Sequence, residues 1–166
     1  MKLIIRIGNA LSKVKKLIAP CPPATKDLKL NTKNRNSAIK ANHIQYGPLN
    51  VDEPADYWKK IADFWNTSEK AAKKSLCGNC VAFDISPRMK ACMPGETSDK
   101  DGVLGYCWMH HFKCHSARSC RTWAKGGPIK EDNKSIEWQG KANMKESAFP
   151  GPGPIKQPVL ELIINK

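Results

Sequence analysis

Acidic residues are scarce in this chain: 15 Asp and Glu face 28 Lys and Arg, leaving a net charge of +13 over 166 residues. No apolar run approaches the ~20 residues that cross a bilayer. The N-terminus, Met1-Lys-Leu-Ile-Ile-Arg-Ile-Gly, makes a poor secretion signal, because Arg6 interrupts its apolar stretch and no twin arginine follows. A nucleophile elbow, a P-loop and a paired-carboxylate motif are all missing, so an enzyme is not expected. Aromatic residues make up only 7%, and the mean hydropathy is -0.53. With 12 prolines and 11 glycines, this composition points to a small centre carrying long extensions.

What charge there is lies unevenly. Residues 1–50 hold ten Lys and Arg against the single acid Asp27, so the remainder of the chain is nearly neutral. A basic arm of this kind attracts nucleic acid, anionic membrane or acidic protein surfaces about equally well. Within it, Ile7, Leu11, Val14 and Ile18 recur at helical spacing beside Lys13, Lys15 and Lys16, up to a stop at Pro20. The expectation is a short basic amphipathic helix over 3–18 that docks on a partner protein, with a membrane-surface helix as the lesser reading. Residues 19–50 lack apolar periodicity and read as extended.

A compact region begins near Tyr46. Asp52 is placed to cap a helix that accepts Glu53 and Pro54 in its first turn and then sets Tyr57, Trp58, Ile61, Ala62 and Trp65 in one stripe. Asn66 and Thr67 stop it and cap a second helix, Ser68 to Lys74, which leads to Cys77. From Cys77 to Ile129 little regular period is visible, as expected of loops organised by a metal. After Ile136 the chain reads as a second extension. Pro150-Gly-Pro-Gly-Pro154 fits neither helix nor central strand, and the apolar run Val159–Ile164 has nothing local to pair with. The fold class expected is therefore a small irregular metal-centred module with a few short helices, flanked by extended arms. Its parts are an N-terminal arm (1–45), a cysteine-rich module (46–130) and a C-terminal arm (131–166).

Seven cysteines occur, at positions 21, 77, 80, 92, 107, 114 and 120. Six fall between Cys77 and Cys120, and Cys21 stands alone on the arm. An odd number without a secretion signal weighs against an extracellular disulfide scaffold. Cys77-Gly-Asn-Cys80 is a C-x-x-C, which turns two thiolates toward one metal and by itself fits zinc, iron–sulfur or a redox dithiol. The βαβ context of a thioredoxin-like dithiol is missing, and so is the second C-x-x-C common in structural zinc sites. Large aromatics interleave the later cysteines (Tyr106, Trp108, Phe112, Trp123), as a dry iron–sulfur pocket requires. His110, His111 and His115 crowd Cys107 and Cys114 and keep a Cys₃His zinc site open. A cubane iron–sulfur cluster is the preferred reading, ahead of zinc and of disulfides without metal.

Cys77-x-x-Cys80 with Phe83 just beyond, then Gly105-Tyr106-Cys107 and Cys120-Arg-Thr-Trp123, resembles the high-potential iron–sulfur proteins. The resemblance implies Cys77, Cys80, Cys107 and Cys120 as ligands of a [4Fe–4S] cluster and Phe83, Tyr106, Phe112 and Trp123 as its aromatic shell. The departure is the interval between the second and third cysteines, longer here at 26 residues. It contains Cys92, an alternative third ligand, with Cys107 then the fourth. In the preferred set, Cys92 and Cys114 remain as a nearby pair or as buried free thiols.

Leu104–Ile129, taken with Asp56-Tyr-Trp-Lys-Lys-Ile-Ala and Cys77-Gly-Asn-Cys-Val-Ala-Phe, is similar to a family of small cysteine-rich proteins of tailed, notably marine, bacteriophages. That similarity spans about residues 46–130 and implies a phage gene product made in the host cytoplasm, without implying an activity. Three functions follow. One is a virion component of tail, neck or baseplate, stapled by its cluster and bound to neighbouring virion proteins through both arms, with no small-molecule substrate. Another is a soluble iron–sulfur electron carrier or redox sensor. The third is a zinc-binding, nucleic-acid-associated protein. The unpaired apolar C-terminus and the basic arm favour the first.

Overall fold

The computed structural model describes residues 19–148, with side chains to 143. The expected N-terminal amphipathic helix over 3–18, the Pro-Gly hinge and the Val159–Ile164 run lie outside the described residues.

Strand β3 (Gly102–Cys107) is the axis of a four-stranded antiparallel sheet. Strand β1 (Phe83–Asp84) pairs with its last two residues and β2 (Ser98–Asp99) with its first two. On its other edge lies β4 (Phe112–His115), joined to β3 by a tight connection in which His111 takes φ +55. Strand alternation gives this small sheet two different faces. Phe83, Gly105, Cys107, Phe112 and Cys114 share one; Asp84, Leu104, Tyr106, Lys113 and His115 share the other. Gly105 is needed where it stands, because a Cβ there would lie 2.5 Å from the Phe83 ring.

Helices surround the sheet, and two of them correct the reading of extended arms. Residues 19–45 are not an extended arm: α1 (Pro23–Lys26) and α2 (Leu28–Lys40) pack against β4. Asp27 caps α2, its carboxylate accepting from Leu30 N–H at 2.9 Å. The inward side of α2 is mixed: Leu30, Ala38 and Ile39 pack on the core, with Asn31 and Asn34 among them. Asn31 Oδ1 accepts from Lys113 N–H (2.8 Å), and Asn34 Nδ2 donates to the His111 carbonyl (2.7 Å). These amides satisfy the backbone of the open strand edge, which would otherwise need another strand or water. Likewise residues 137–148, read as the start of the second extension, are helical. Helix α6 (Asp132–Ala148) buries Ser135, Gln139 and Ala142.

Helix α3 (Tyr57–Trp65) matches its expected stripe: Trp58, Ile61, Ala62 and Trp65 are buried. It begins later than Asp52 implied. Asn50 Oδ1 accepts from the N–H groups of Asp52 and Glu53, and Ala55 takes φ +49, so a turn occupies those residues. Asn66 ends α3 in the left-handed conformation, and Ser68, not Thr67, caps α4 (Glu69–Ala72). A short helix α5 (Pro87–Cys92) follows β1. The core divides in two, one cluster around the sheet and the cysteines and one of Trp58, Ile61, Ala62, Trp65 and Ala72, with Trp123 packed against both. Among the described residues no helix is long and apolar enough to cross a membrane.

Candidate metal centre

Cys77 and Cys80 open and follow a 3-10 turn, Cys77–Asn79. The turn is held from three sides. Cys77 N–H donates to the Arg118 carbonyl (2.6 Å) and Gly78 N–H to that of Ser116 (2.9 Å), while Cys80 N–H closes back on the Cys77 carbonyl (2.9 Å). Beyond it, Cys80 bridges to Lys125 in antiparallel fashion, and Val81 N–H donates to the Ala124 carbonyl at 2.8 Å. The Cys120-x-x-Trp123 segment forms its own turn, with Trp123 N–H donating to the Cys120 carbonyl. Trp123 Nε1 then bonds the Leu76 carbonyl and Asn79 Oδ1, both at 2.9 Å, tying this turn to the C-x-x-C turn.

Five thiols gather here, those of Cys77, Cys80, Cys107, Cys114 and Cys120, all unbridged. Cys120 lies within electrostatic reach of Cys77, Cys107 and Cys80, and Cys80 of Cys107 and Cys77. Cys114 lies beside Cys107 and Cys77, whose sulfurs add to the rise of its pKa. Cys107 and Cys114 meet as diagonal neighbours on one face of the hairpin, since Cys114 stands opposite Gly105, two residues before Cys107.

Main-chain donors are aimed at two of the sulfurs. Cys80 receives N–H groups from Ala124 and Ala82, and Cys107 from His110 and Met109. Such donors stabilise a thiolate. Burial opposes them. It pushes the Cys80 thiol up to about 12 and raises Cys114 and Cys120 well above the ordinary thiol range, with neighbouring sulfurs adding to the rise. Cys107 is held low, chiefly by the Cys114 thiol beside it. A bound cation inverts this balance, because a coordinating thiol is deprotonated outright. Among the described residues, no group of three or more His, Cys, Asp and Glu side chains is arranged so as to hold a metal ion as it stands.

The walls are apolar and partly those expected. Phe83 and Phe112 lie on the thiol face of the sheet and are buried; Trp123 is half-buried beside Cys120. Tyr106 is on the opposite face, edge-on to Trp108, whose Nε1 donates to the buried Asp84 carboxylate at 2.9 Å. Two tyrosines that sequence reasoning missed stand nearer the thiols. Burial raises the hydroxyl pKa of Tyr46 and Tyr57 far above the usual range, and adjacent thiols (Cys114 and Cys77; Cys120 and Cys77) raise it further. Tyr46 packs edge-on against Phe112 and its hydroxyl accepts from His115 N–H at 3.0 Å. Tyr57 shares its hydroxyl between the carbonyls of Gln45 and Ser119.

The remaining candidates are committed elsewhere. Cys92 does not join the five thiols: it forms a disulfide with Cys21, 71 residues away, so neither its role as alternative ligand nor its pairing with Cys114 holds. The same bond shows that Cys21 does not stand alone. Beside it, Arg88 on α5 bonds Ser135, Gln139 and the Pro20 carbonyl, fastening residues 19–22 to α5 and α6. His110 is half-buried and bonds Thr122 Oγ1 at 2.6 Å; desolvation lowers its pKa to about 4, with His43 and His111 adding to the fall. His115 sits on the face away from Cys114 and bonds Asp99 at 3.2 Å. Comparison of the chain with family models, curated proteins and solved structures returned no match.

Proposed function

We propose that the protein binds a cubane [4Fe–4S] cluster through Cys77, Cys80, Cys107 and Cys120, and that it serves as a structural component of a phage particle. The observation that supports the cluster most is the gathering of five unbridged thiols, four buried and Cys107 half-buried, with main-chain N–H groups favouring the thiolates of Cys80 and Cys107. Soft thiolates in a dry, N–H-lined site fit an iron–sulfur group. When bound, the cluster supplies a one-electron couple and folding free energy.

The chain's own contribution is to hold sulfurs and exclude water. The 3-10 turn fixes Cys77 and Cys80, the hairpin presents Cys107, and the Trp123 hydrogen bonds hold the Cys120 turn against them. Tyr46, Tyr57, Phe83 and Phe112 close the surroundings. The virion role rests on the sequence: the basic residues 1–50, the Val159–Ile164 run and the similarity of residues 46–130 to phage proteins. We assign no enzymatic reaction to it.

Single serine replacements at Cys77, Cys80, Cys107 and Cys120 test the ligand set. Each is expected to remove the cluster absorbance near about 400 nm; Cys92→Ser is expected to keep it. Bleaching by Cys92→Ser but not by Cys120→Ser would refute the assignment. For the particle, deletion of residues 151–166 should leave the absorbance intact and abolish incorporation. Full-length protein found only as a free monomer would favour an electron carrier instead.

A further inference from the structure

Helix α2 packs one side on β4 and the core and leaves the other open. At about 3.6 residues per turn, Lys29, Lys33, Asn36 and Lys40 fall in one stripe opposite the buried Asn31 and Ala38, and all four are exposed. Arg35 is exposed on the flank of the stripe. The helix contains no acid, and among the described residues none of these cations makes an ion pair. Elsewhere the pattern is different: Lys59, Lys60, Lys73 and Lys141 each meet a carboxylate four residues away. The stripe does not stabilise the helix that carries it. Lys29 and Lys33 are like charges at i, i+4, which repel, and Lys29 lies in the first turn, where the helix dipole disfavours a cation. Such a face is complementary to an external anion.

Its composition decides which anion. The exposed large apolar residue of α2 is Leu28, at the first helical position and to one side of the stripe, so there is no apolar face to enter a membrane. Protein interfaces are poor in lysine and centre on aromatic or apolar anchors, which this stripe lacks. Lys, Arg and Asn side chains do contact phosphate oxygens. Single strands add aromatic stacking platforms to the basic groove, and the stripe has none. From Lys29 to Lys40 it runs about 16 Å, at about 1.5 Å per residue. That length crosses the B-form major groove, about 12 Å wide, which admits a helix, so the two ends reach phosphates on both walls. The A-form major groove of duplex RNA is too narrow for this. We propose that the exposed face of α2 is a docking surface for duplex DNA, on which Lys29, Lys33 and Lys40 pair with backbone phosphates, flanked by Arg35, without reading base sequence. It lies beyond the cluster reading and needs no metal.

The experiment titrates full-length protein and variants against a short, end-labelled, mixed-sequence duplex DNA, with fluorescence anisotropy read over a range of salt. Lys29→Gln/Lys33→Gln/Lys40→Gln removes the stripe. Lys59→Gln/Lys60→Gln/Lys73→Gln removes the same charge from the paired lysines of α3 and α4. Glutamine matches lysine in helix propensity, and circular dichroism checks the fold of each variant. The α2 variant is expected to bind at least about tenfold more weakly and to lose about 3 from the slope of log K against log salt, at about 0.9 per phosphate contact. The α3–α4 variant is expected to keep the wild-type slope. Equal losses in the two variants would make the effect one of net charge and overturn the proposal. So would an intact slope in the α2 variant with a loss in Lys13→Gln/Lys15→Gln/Lys16→Gln, which would move the contact to residues 1–18. Tighter binding of wild type to polyglutamate, to phosphatidylserine vesicles or to duplex RNA than to duplex DNA would also overturn it, as would no binding to duplex DNA at low salt.

Discussion

Gly127 offers a sharp perturbation of the segment that backs the C-x-x-C turn. Its Cα lies against the main chain of Cys80, so a Cβ built there would overlap the Cys80 carbonyl and lie 3.0 Å from Val81 N. Backbone cannot swing aside as the end of a side chain can. Gly127→Ala must push the 124–127 segment off the Cys80 strand, weakening Val81 N–H to Ala124 O (2.8 Å) and Gly127 N–H to Asn79 O (3.1 Å). Two backbone hydrogen bonds at about 1 kcal/mol net each, with about 1–3 kcal/mol of overpacking strain, give a loss of about 3–5 kcal/mol. Gly140 is the internal control. It lies within α6, and a Cβ there meets nothing within 4 Å. Gly140→Ala should therefore stabilise the protein by about 0.5–1 kcal/mol, the usual helix gain of alanine over glycine. Urea denaturation followed by tryptophan fluorescence and by circular dichroism measures both, provided the slope of the transition is unchanged. A Gly127→Ala protein within 1 kcal/mol of wild type would refute the packing of residues 124–127 on the Cys80 strand.

Three further substitutions probe other links. Cys92→Ser releases a loop closed over 71 residues; chain entropy puts the loss at about 4 kcal/mol, and reductant should bring wild type down to the level of the variant without moving the variant. Asn31→Ala strands the Lys113 N–H that Asn31 now receives at 2.8 Å, for an expected loss of about 1–2 kcal/mol, read as a lower denaturation midpoint. His110 has its pKa lowered from 6.5 to about 4 by burial, so the unfolded chain takes up the proton first. Its contribution is intact above about pH 6.5 and lost as pH falls through 4, at most about 3 kcal/mol. His110→Gln should flatten stability across that interval, and an unchanged acid slope would contradict the desolvated neutral imidazole.

The parts of the fold legible in the sequence are those that bury apolar side chains at a regular period. Helix α3 is the clear case, with Trp58, Ile61 and Trp65 on one side. Helices α2 and α6 escaped because their inward residues include Asn31, Asn34, Ser135 and Gln139, which pack by hydrogen bonding and break up the hydropathy signal of Ala38 and Ala142; the Asp27 cap was the available clue. Strand β3 escaped because its glycines and its two used faces erase the alternation that marks a half-buried strand. At the site, the C-x-x-C and the Cys120-x-x-Trp123 turn are local features and could be read directly. Cys114 depends on the register that sets it opposite Gly105, and Cys92 on a partner 71 residues away. Tyr46 and Tyr57 lie outside the cysteine segment altogether and reach it through their bonds to His115 and Ser119 and, for Tyr46, the Phe112 ring.

Metal content tests the central claim most directly. Full-length protein isolated anaerobically from its native source would be assayed for iron, zinc and acid-labile sulfide, with its absorbance recorded before and after mild oxidation. The account expects about four iron and four sulfide per chain, little zinc, and a brown colour that Cys77→Ser abolishes. Stoichiometric zinc without iron, or five titratable thiols with no metal at all, would contradict it.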